Sequence, residues 1–191
     1  MTQLIDLLRE RTVDVHRALE AQLVGRIKSI SSLQDYSRLL RLMYGYYDAL
    51  ERHIQPHVET NPDLDFFNRR KAAWLIHDME MLGDASDLQR CQHLPSINNA
   101  TAAIGAMYVL EGSTLGGQHI ATMIQKKLVL SDDALTFFHS YKGDTPAMWE
   151  RFKQVLTHPF DSRQQQDIIQ AAHDTFVTFM NWINKHGADK L

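Results

Sequence analysis

Apolar positions recur every three or four residues along most of the chain, which is the spacing of amphipathic helices. In the first such segment, residues 2–24, the apolar positions share one side and Thr2 is a candidate N-cap. That side carries Ile5, Leu8, Thr12, Leu19 and Leu23. Because His16 lies one turn after Thr12 on the same side, the pattern predicts an imidazole that points into the core.

The same periodicity predicts five further helices. They cover about residues 33–58, 66–82, 96–128, 145–158 and 162–186. Ser32 with Asp35 and Ser162 with Gln165 have the spacing of capping boxes, and Thr145 precedes a proline in the way helix starts often do. No stretch alternates with a period of two, and no repeat or linker divides the chain. We therefore expect an all-α fold of six to eight helices in a single domain, residues 1–191.

Composition and charge exclude several classes of protein. The chain has 191 residues, a net charge of −3 and interspersed acidic and basic residues, so neither a nucleic-acid surface nor a polybasic membrane anchor is expected. The first residues lack the apolar core of a signal peptide, and no apolar run is long enough to span a bilayer, which predicts a cytoplasmic protein. Cys91 is the only cysteine, which excludes an internal disulfide, a cysteine-bound iron–sulfur cluster and covalent haem attachment.

Three glycines interrupt the helix predicted for residues 96–128. Gly112, Gly116 and Gly117 together cost such a helix about 3 kcal/mol relative to alanine, so something must approach its backbone closely. Gly112 and Gly116 are one turn apart and share a face. A second helix packed against this face and a flat ligand are both consistent with the pattern.

Few other residues indicate chemistry. The sequence contains no phosphate-binding loop, no dinucleotide-binding glycine motif and no nucleophile elbow, and the Glu-x-x-His pairs of di-iron bundles are absent. His53 and His57 have metal-ligand spacing but stand among charged residues on a face predicted to be solvated. His16 is open to two interpretations: a core histidine with a local hydrogen-bond partner, or an axial ligand of haem iron.

Two motifs resemble those of the haem oxygenase family. Residues 8–16 read LRERTVDVH, similar to the family's proximal-helix motif, and residues 110–118 read LEGSTLGGQ, similar to its distal-helix motif with a G-x-x-x-G-G core. Their order, their separation and the all-α pattern agree with the family, and weaker similarity extends over residues 4–183. The resemblance is closest to the bacterial enzymes that make biliverdin for bacteriophytochromes.

The resemblance implies that haem b lies between the first helix and a glycine-kinked distal helix, and that haem is both cofactor and substrate. Oxygen and electrons from a separate reductase or ferredoxin would convert it into biliverdin, carbon monoxide and free iron, with the IXα isomer as the family default. A bacteriophytochrome or another biliverdin acceptor is the implied partner downstream. Two alternatives remain: a haem carrier or sensor without turnover, and a helical interaction domain in which the glycines only allow tight packing.

The resemblance also implies roles for individual residues. His16 would ligate the iron, and Gly112 and Gly116 would lie over the opposite face of haem. The other implied haem-binding residues are Arg9 and Lys153 near the propionates, Gly117 beside the distal face, and Phe176 and Phe179 near the haem edge. The implied catalytic set comprises Gly112, Gly116, Ser113 and Tyr47. Ser113 is a departure, because mammalian-type enzymes have an aspartate there; a serine can hold a water but brings no negative charge.

Overall fold

The computed structural model describes residues 3–186, which form helices, turns and loops without a strand. The α-helices are α1 (Leu4–Ser29), α2 (Leu33–Val58), α3 (Ala73–Met81), α4 (Ala100–Gly112), α5 (Thr114–Gln125), α6 (Thr136–His139), α7 (Thr145–Val155) and α8 (Ser162–His186). Short 3-10 turns lie at Pro62–Leu64, Phe66–Asn68, Asp132–Leu135 and Lys142–Asp144. The all-α prediction is confirmed. None of the helices among residues 3–186 combines the length and apolar character needed to cross a membrane.

The starts of α2 and α8 were predicted to within one residue, whereas α4, predicted from about residue 96, begins at Ala100 with Asn99 as its N-cap. Ser32 and Asp35 form the predicted capping box, in which each backbone N–H donates to the other side chain at 3.0–3.1 Å. At α8 the prediction was wrong by one residue, because Asp161 and Gln164 cap the helix instead and exchange two hydrogen bonds of 2.9 Å. A carboxylate is a stronger acceptor for an exposed N–H than the hydroxyl of the neighbouring Ser162.

The first helix extends beyond its predicted end. It continues through Gly25 to Ser29, because Ile27 at its end and Ile30 just after it are 1% exposed and prolong the buried face. The proposed cap Thr2 lies outside the described residues.

The helix predicted over residues 66–82 is wrong in its first half. A 3-10 turn is followed by irregular backbone, with Arg69 extended (φ −84°, ψ 163°), and α3 begins only at Ala73. Arg69 and Arg70 are buried here and donate hydrogen bonds to other parts of the chain. These tertiary contacts override the helical pattern. The predicted end is correct, since Gly83 has a positive φ of 71°.

The segment predicted as one helix from residue 96 to 128 is two helices, α4 and α5, that meet at Ser113. Both α4 and α1 pack against α8, while α5 contacts α1, α6 and α7. α4 approaches α8 most closely at Gly105, where an added Cβ would overlap the carbonyl oxygen of Ile168 and touch Ala171. The core therefore centres on α8, and the α4–α5 break lies at its edge.

Replacement of Gly105 by alanine should destabilise the fold. The new Cβ forces α4 away from the α8 backbone, so we expect the free energy of unfolding to fall by about 1–3 kcal/mol, measured by urea denaturation. Gly25→Ala is the matched control, because Gly25 is also helical and has no atom within 4 Å of an added Cβ. The control should gain up to about 1 kcal/mol. Equal stability of the two variants would contradict the close approach of α4 and α8.

Candidate functional site

The glycines at the α4–α5 break fall into two groups. Gly117 is buried, and a Cβ there would overlap the backbone carbonyl of Phe138, so packing inside the chain requires this glycine. A Cβ on Gly112 would meet only the ring of Trp149 at an ordinary 3.8 Å, and one on Gly116 would have no neighbour within 4 Å. Helix packing thus explains Gly117 but neither Gly112 nor Gly116, which leaves their shared face accessible to a flat ligand.

His16 is exposed, contrary to the prediction that it points into the core. Its neighbours along the same side of α1, Thr12 and Leu19, are buried at 2% and 5% exposure. His16 is more exposed than these neighbours because the ring of Phe176, which lies beside it at 5.3 Å between centroids, leaves much of the imidazole uncovered. His16 therefore lies on the inward side of α1 with a ring surface that a ligand can reach.

Aromatic side chains connect α8 to the tyrosines of α2. Phe179 stacks on Tyr46 at 4.4 Å between centroids and meets Tyr47 edge-on at 5.7 Å. The Tyr46 hydroxyl donates to the Thr175 carbonyl at 2.7 Å. Phe176 and Phe179, one turn apart on α8, thus join the neighbourhood of His16 to that of Tyr47.

Ser113 is the centre of a hydrogen-bonded group at the helix break. Its hydroxyl donates to the Leu110 carbonyl at 2.7 Å. Arg70 Nη2 donates to Ser113 Oγ at 2.6 Å and to the Leu110 carbonyl at 2.9 Å, and the Tyr47 hydroxyl lies 3.1 Å from Ser113 Oγ. Because a serine has one proton and Leu110 accepts it, Ser113 Oγ serves as the acceptor for both Arg70 and Tyr47.

Arg70 is the main site residue that the sequence analysis missed. Its guanidinium lies 4.2 Å from the ring centroid of Phe137 and 5.2 Å from that of Tyr47, within the range of cation–π attraction. Its backbone N–H donates to the Tyr141 hydroxyl at 2.6 Å. The available signal was the run of three cations at residues 69–71, which follows two phenylalanines after a single asparagine and is unusual for a solvated helix face.

A buried ion pair supports this group from behind. Arg69 and Glu111 are 2.8 Å apart, with side chains only 2% and 4% exposed. Tyr141 donates to the same Glu111 carboxylate at 3.1–3.2 Å, and burial together with that negative charge raises the pKa of the Tyr141 phenol. Arg69, Glu111 and Tyr141 thereby fix the loop before α3 to the end of α4.

Glu51 lies one turn beyond Tyr47 on α2 and accepts the backbone N–H of Ala72 at 2.9 Å. Burial raises the pKa of its carboxyl to about 7, although Lys71, the Ala72 N–H and Arg70 act in the opposite direction. Glu51 therefore anchors the segment that carries Arg70 and titrates near neutral pH.

Of the two cations predicted near propionates, Arg9 is exposed and Lys153 is half-buried. Arg9 pairs with Asp6 at 3.7 Å, and both side chains are more than half exposed. Lys153 pairs with Glu150 at 2.7 Å on α7, one turn after Trp149. Each ion pair forms within a single helix. The roles of Arg9 and Lys153 toward a ligand therefore stay predictions.

Comparison with known sequences identifies similar proteins over nearly the whole chain. The model of the family described as Heme oxygenase matches residues 2–185. The chain is also 30% identical, over 145 residues, to a Heme oxygenase from Xanthomonas campestris pv. campestris (strain 8004). That match covers 75% of this chain and 86% of the relative.

Solved structures of three bacterial proteins share the fold. A heme oxygenase from Neisseria meningitidis, studied with NO and CO bound, has a TM-score of 0.80 at 22% identity and covers 100% of this chain and 96% of its own. The one from Leptospira interrogans has a TM-score of 0.76 at 18% identity, with 96% and 100% covered. Heme oxygenase-1 from the cyanobacterium Synechocystis, in complex with heme, has a TM-score of 0.70 at 19% identity, with 96% and 92% covered.

Glu51 should make stability depend on pH. Because its pKa rises from 4.5 to about 7 on folding, the stability that this group contributes is full below pH 4.5 and is lost as pH rises through 7. Glu51→Gln keeps an acceptor for Ala72 but does not titrate. Between pH 5 and 8, the wild type should lose about 1–3 kcal/mol more unfolding free energy than Glu51→Gln in urea denaturation. Glu59 is exposed, so the control variant Glu59→Gln should show the same dependence of unfolding free energy on pH as the wild type. If Glu51→Gln also shows that dependence, Glu51 is not the group with the raised pKa.

Proposed function

The chain belongs to the haem oxygenase family, and from this premise we propose that haem binds between His16 on α1 and the surface of Gly112 and Gly116 at the α4–α5 break. The protein is an oxidoreductase that cleaves haem to biliverdin, carbon monoxide and free iron. The observation that carries the assignment of the site is the open face over Gly112 and Gly116, for which packing inside the chain gives no reason. Direct contact between α1 and α5 supports it, since both helices then border one region.

The residues present fit haem. A planar macrocycle needs an iron ligand on one face, and His16 offers an exposed imidazole on a rigid helix. On the other face it needs backbone without side chains, and an added Cβ at Gly116 would enter open space. The rings of Phe176 and Phe179 on α8 offer an apolar border for the macrocycle edge.

When bound, haem supplies the iron at which oxygen is reduced and the porphyrin that is cleaved. His16 would hold the iron through its imidazole. Gly112 and Gly116 would present helix backbone to the opposite face of the macrocycle. Gly117 belongs to this surface only indirectly, because its own lack of a side chain serves the contact with Phe138.

Protons on the distal side are handled by Tyr47 and Ser113 in this proposal. Ser113 Oγ accepts hydrogen bonds from Tyr47 and Arg70 and donates to Leu110, so its task is to hold the Tyr47 hydroxyl in place rather than to release a proton. The oxygen of the Tyr47 hydroxyl is the acceptor proposed for a distal water. Arg9 and Lys153 are proposed to pair with the haem propionates, in exchange for their local partners Asp6 and Glu150.

Electrons come from a separate reductase or ferredoxin in this proposal, and oxygen is the second substrate. A bacteriophytochrome is the proposed acceptor of biliverdin, on the basis of the sequence resemblance alone. Aerobic turnover of the haemin complex with a reductant, followed by chromatography, tests the activity. Biliverdin IXα is the expected product, whereas haem that is bound but returned intact would indicate a carrier or sensor.

Replacement of His16 by alanine should remove the iron ligand without harming the fold, because the side chain is exposed. Haemin titration should give the wild type a sharp Soret band, and His16→Ala a weakened and shifted one with at least about tenfold lower affinity. The exposed histidine His77, on α3, provides the control variant His77→Ala, which should bind haemin like the wild type. A His16→Ala spectrum identical to that of the wild type would exclude His16 as the ligand.

A bulky residue at position 116 should block the distal face. Gly116→Leu should keep or raise the unfolding free energy of the protein without haem, since the side chain enters open space and leucine favours helix. It should still bind haemin through His16, but carbon monoxide affinity and biliverdin formation should each fall by about tenfold or more. Gly25 is another exposed helical glycine, so the control variant Gly25→Leu should leave carbon monoxide affinity and biliverdin formation unchanged. Normal turnover by Gly116→Leu would rule out close approach at this position.

A further inference from the structure

Side chains add hydrogen bonds to the backbone where α4 meets α5. Ser113 itself keeps a helical conformation and donates its N–H to the Val109 carbonyl at 3.1 Å. Ser113 donates to the Leu110 carbonyl, and Thr114 donates through its own hydroxyl to the Glu111 carbonyl at 2.6 Å. Arg70 adds a donor from another part of the chain. One of its nitrogens bridges Leu110 O and Ser113 Oγ.

Arg70 is itself fixed on several sides. Its side chain is buried, at 7% exposure for the residue, between the rings of Tyr47 and Phe137. Its backbone N–H is bound by Tyr141, and Glu51 binds the N–H of Ala72 two residues later. The guanidinium is therefore presented to the helix break in one orientation by contacts from α2, α6 and the Tyr141 turn.

Among residues 3–186, the hydrogen-bond partners of the Arg70 guanidinium are Leu110 O and Ser113 Oγ, and neither is a carboxylate. Glu111 is bound to Arg69 at 2.8 Å and to the Tyr141 hydroxyl. Glu51, whose pKa burial raises to about 7, binds the N–H of Ala72 rather than the Arg70 guanidinium. Ser113, the residue that Arg70 touches directly, is neutral. The charge in direct contact with Tyr47 and Ser113 is therefore the positive charge of Arg70.

We propose that Arg70 is a positioning residue for haem cleavage, which holds the α4–α5 break in place and sets a fixed positive charge beside Tyr47 and Ser113. The inference rests on the proposed function for its catalytic meaning, but the hold on the helix break can be measured without haem. Lysine cannot replace arginine fully here, because an ammonium lacks the flat guanidinium that packs between the rings of Tyr47 and Phe137 while one of its nitrogens bridges two acceptors.

Hydrogen exchange in the protein without haem tests the structural half. Arg70→Met and Arg70→Lys should each speed amide exchange across residues 110–117 by about tenfold or more, since a charged hydrogen bond is lost or weakened. Arg52→Met is the control, because Arg52 binds Asp48 on the exposed face of α2. Exchange at wild-type rate in both Arg70 variants would overturn the claim that Arg70 holds the break.

Ligand binding to the haemin complex tests the charge. Azide is an anionic probe for the ferric complex, and carbon monoxide is a neutral probe for the ferrous one. Arg70→Met should weaken azide binding about tenfold while carbon monoxide affinity changes less than threefold, and Arg70→Lys should recover most of the azide affinity. A merely structural role would change both ligands together and would not be rescued by lysine, and that result would overturn the charge assignment.

The two proposals fail in different ways. If the wild type does not bind haemin, the proposed function is wrong. The hydrogen-exchange measurement still tests whether Arg70 holds the helix break in place. If haemin binds and turns over but both Arg70 variants match the wild type in exchange and azide affinity, the inference about Arg70 is wrong and the proposed function stands. Because Arg70→Met removes a buried charge, thermal denaturation should first show a cooperative transition, and Arg70→Lys carries the test if it does not.

Discussion

The site depends on one constraint: helix backbone must be presented without side chains where α4 gives way to α5. At this junction Gly116 is exposed and Gly112 is half-buried beside the Trp149 ring, while Gly117 packs inward against Phe138. A carbonyl group that stays unpaired in a partly buried place costs about 1–3 kcal/mol. Here the hydroxyls of Ser113 and Thr114 and the guanidinium of Arg70 donate to the Leu110 and Glu111 carbonyls.

Charge placement follows from the same constraint. Burial of an arginine at the break costs free energy because its charge loses contact with water. The ring faces beside Arg70 and its hydrogen bonds, rather than a carboxylate, offset that cost. The neighbouring ion pair of Arg69 and Glu111 fixes the backbone that carries Arg70. Ser113 suits this arrangement, because an aspartate at that position would form a close ion pair with Arg70 and neutralise it.

The sequence predicted the helical class, most helix positions and the segment on which the site is built. It could not assign the three glycines separately, because helix periodicity does not say which one meets Phe138 and which meet open space. His16 was placed on the correct side of α1, but its exposure depends on which residues of α8 lie opposite, among them Phe176 with its ring 5.3 Å from the imidazole between centroids. Arg70 was missed because its role arises from tertiary contacts with α2, α4 and α6. Those contacts also replaced the predicted first half of α3 with irregular backbone.

The central claim is that haem lies between His16 and the open face of Gly112 and Gly116. A crystal structure of the ferric haemin complex tests it most directly. The account predicts that the His16 imidazole binds the iron, that the Cα atoms of Gly112 and Gly116 contact the opposite face of the macrocycle, and that Arg70 keeps its bond to Ser113. Haem bound through another ligand, or side chains of other residues between the macrocycle and Gly116, would contradict the account.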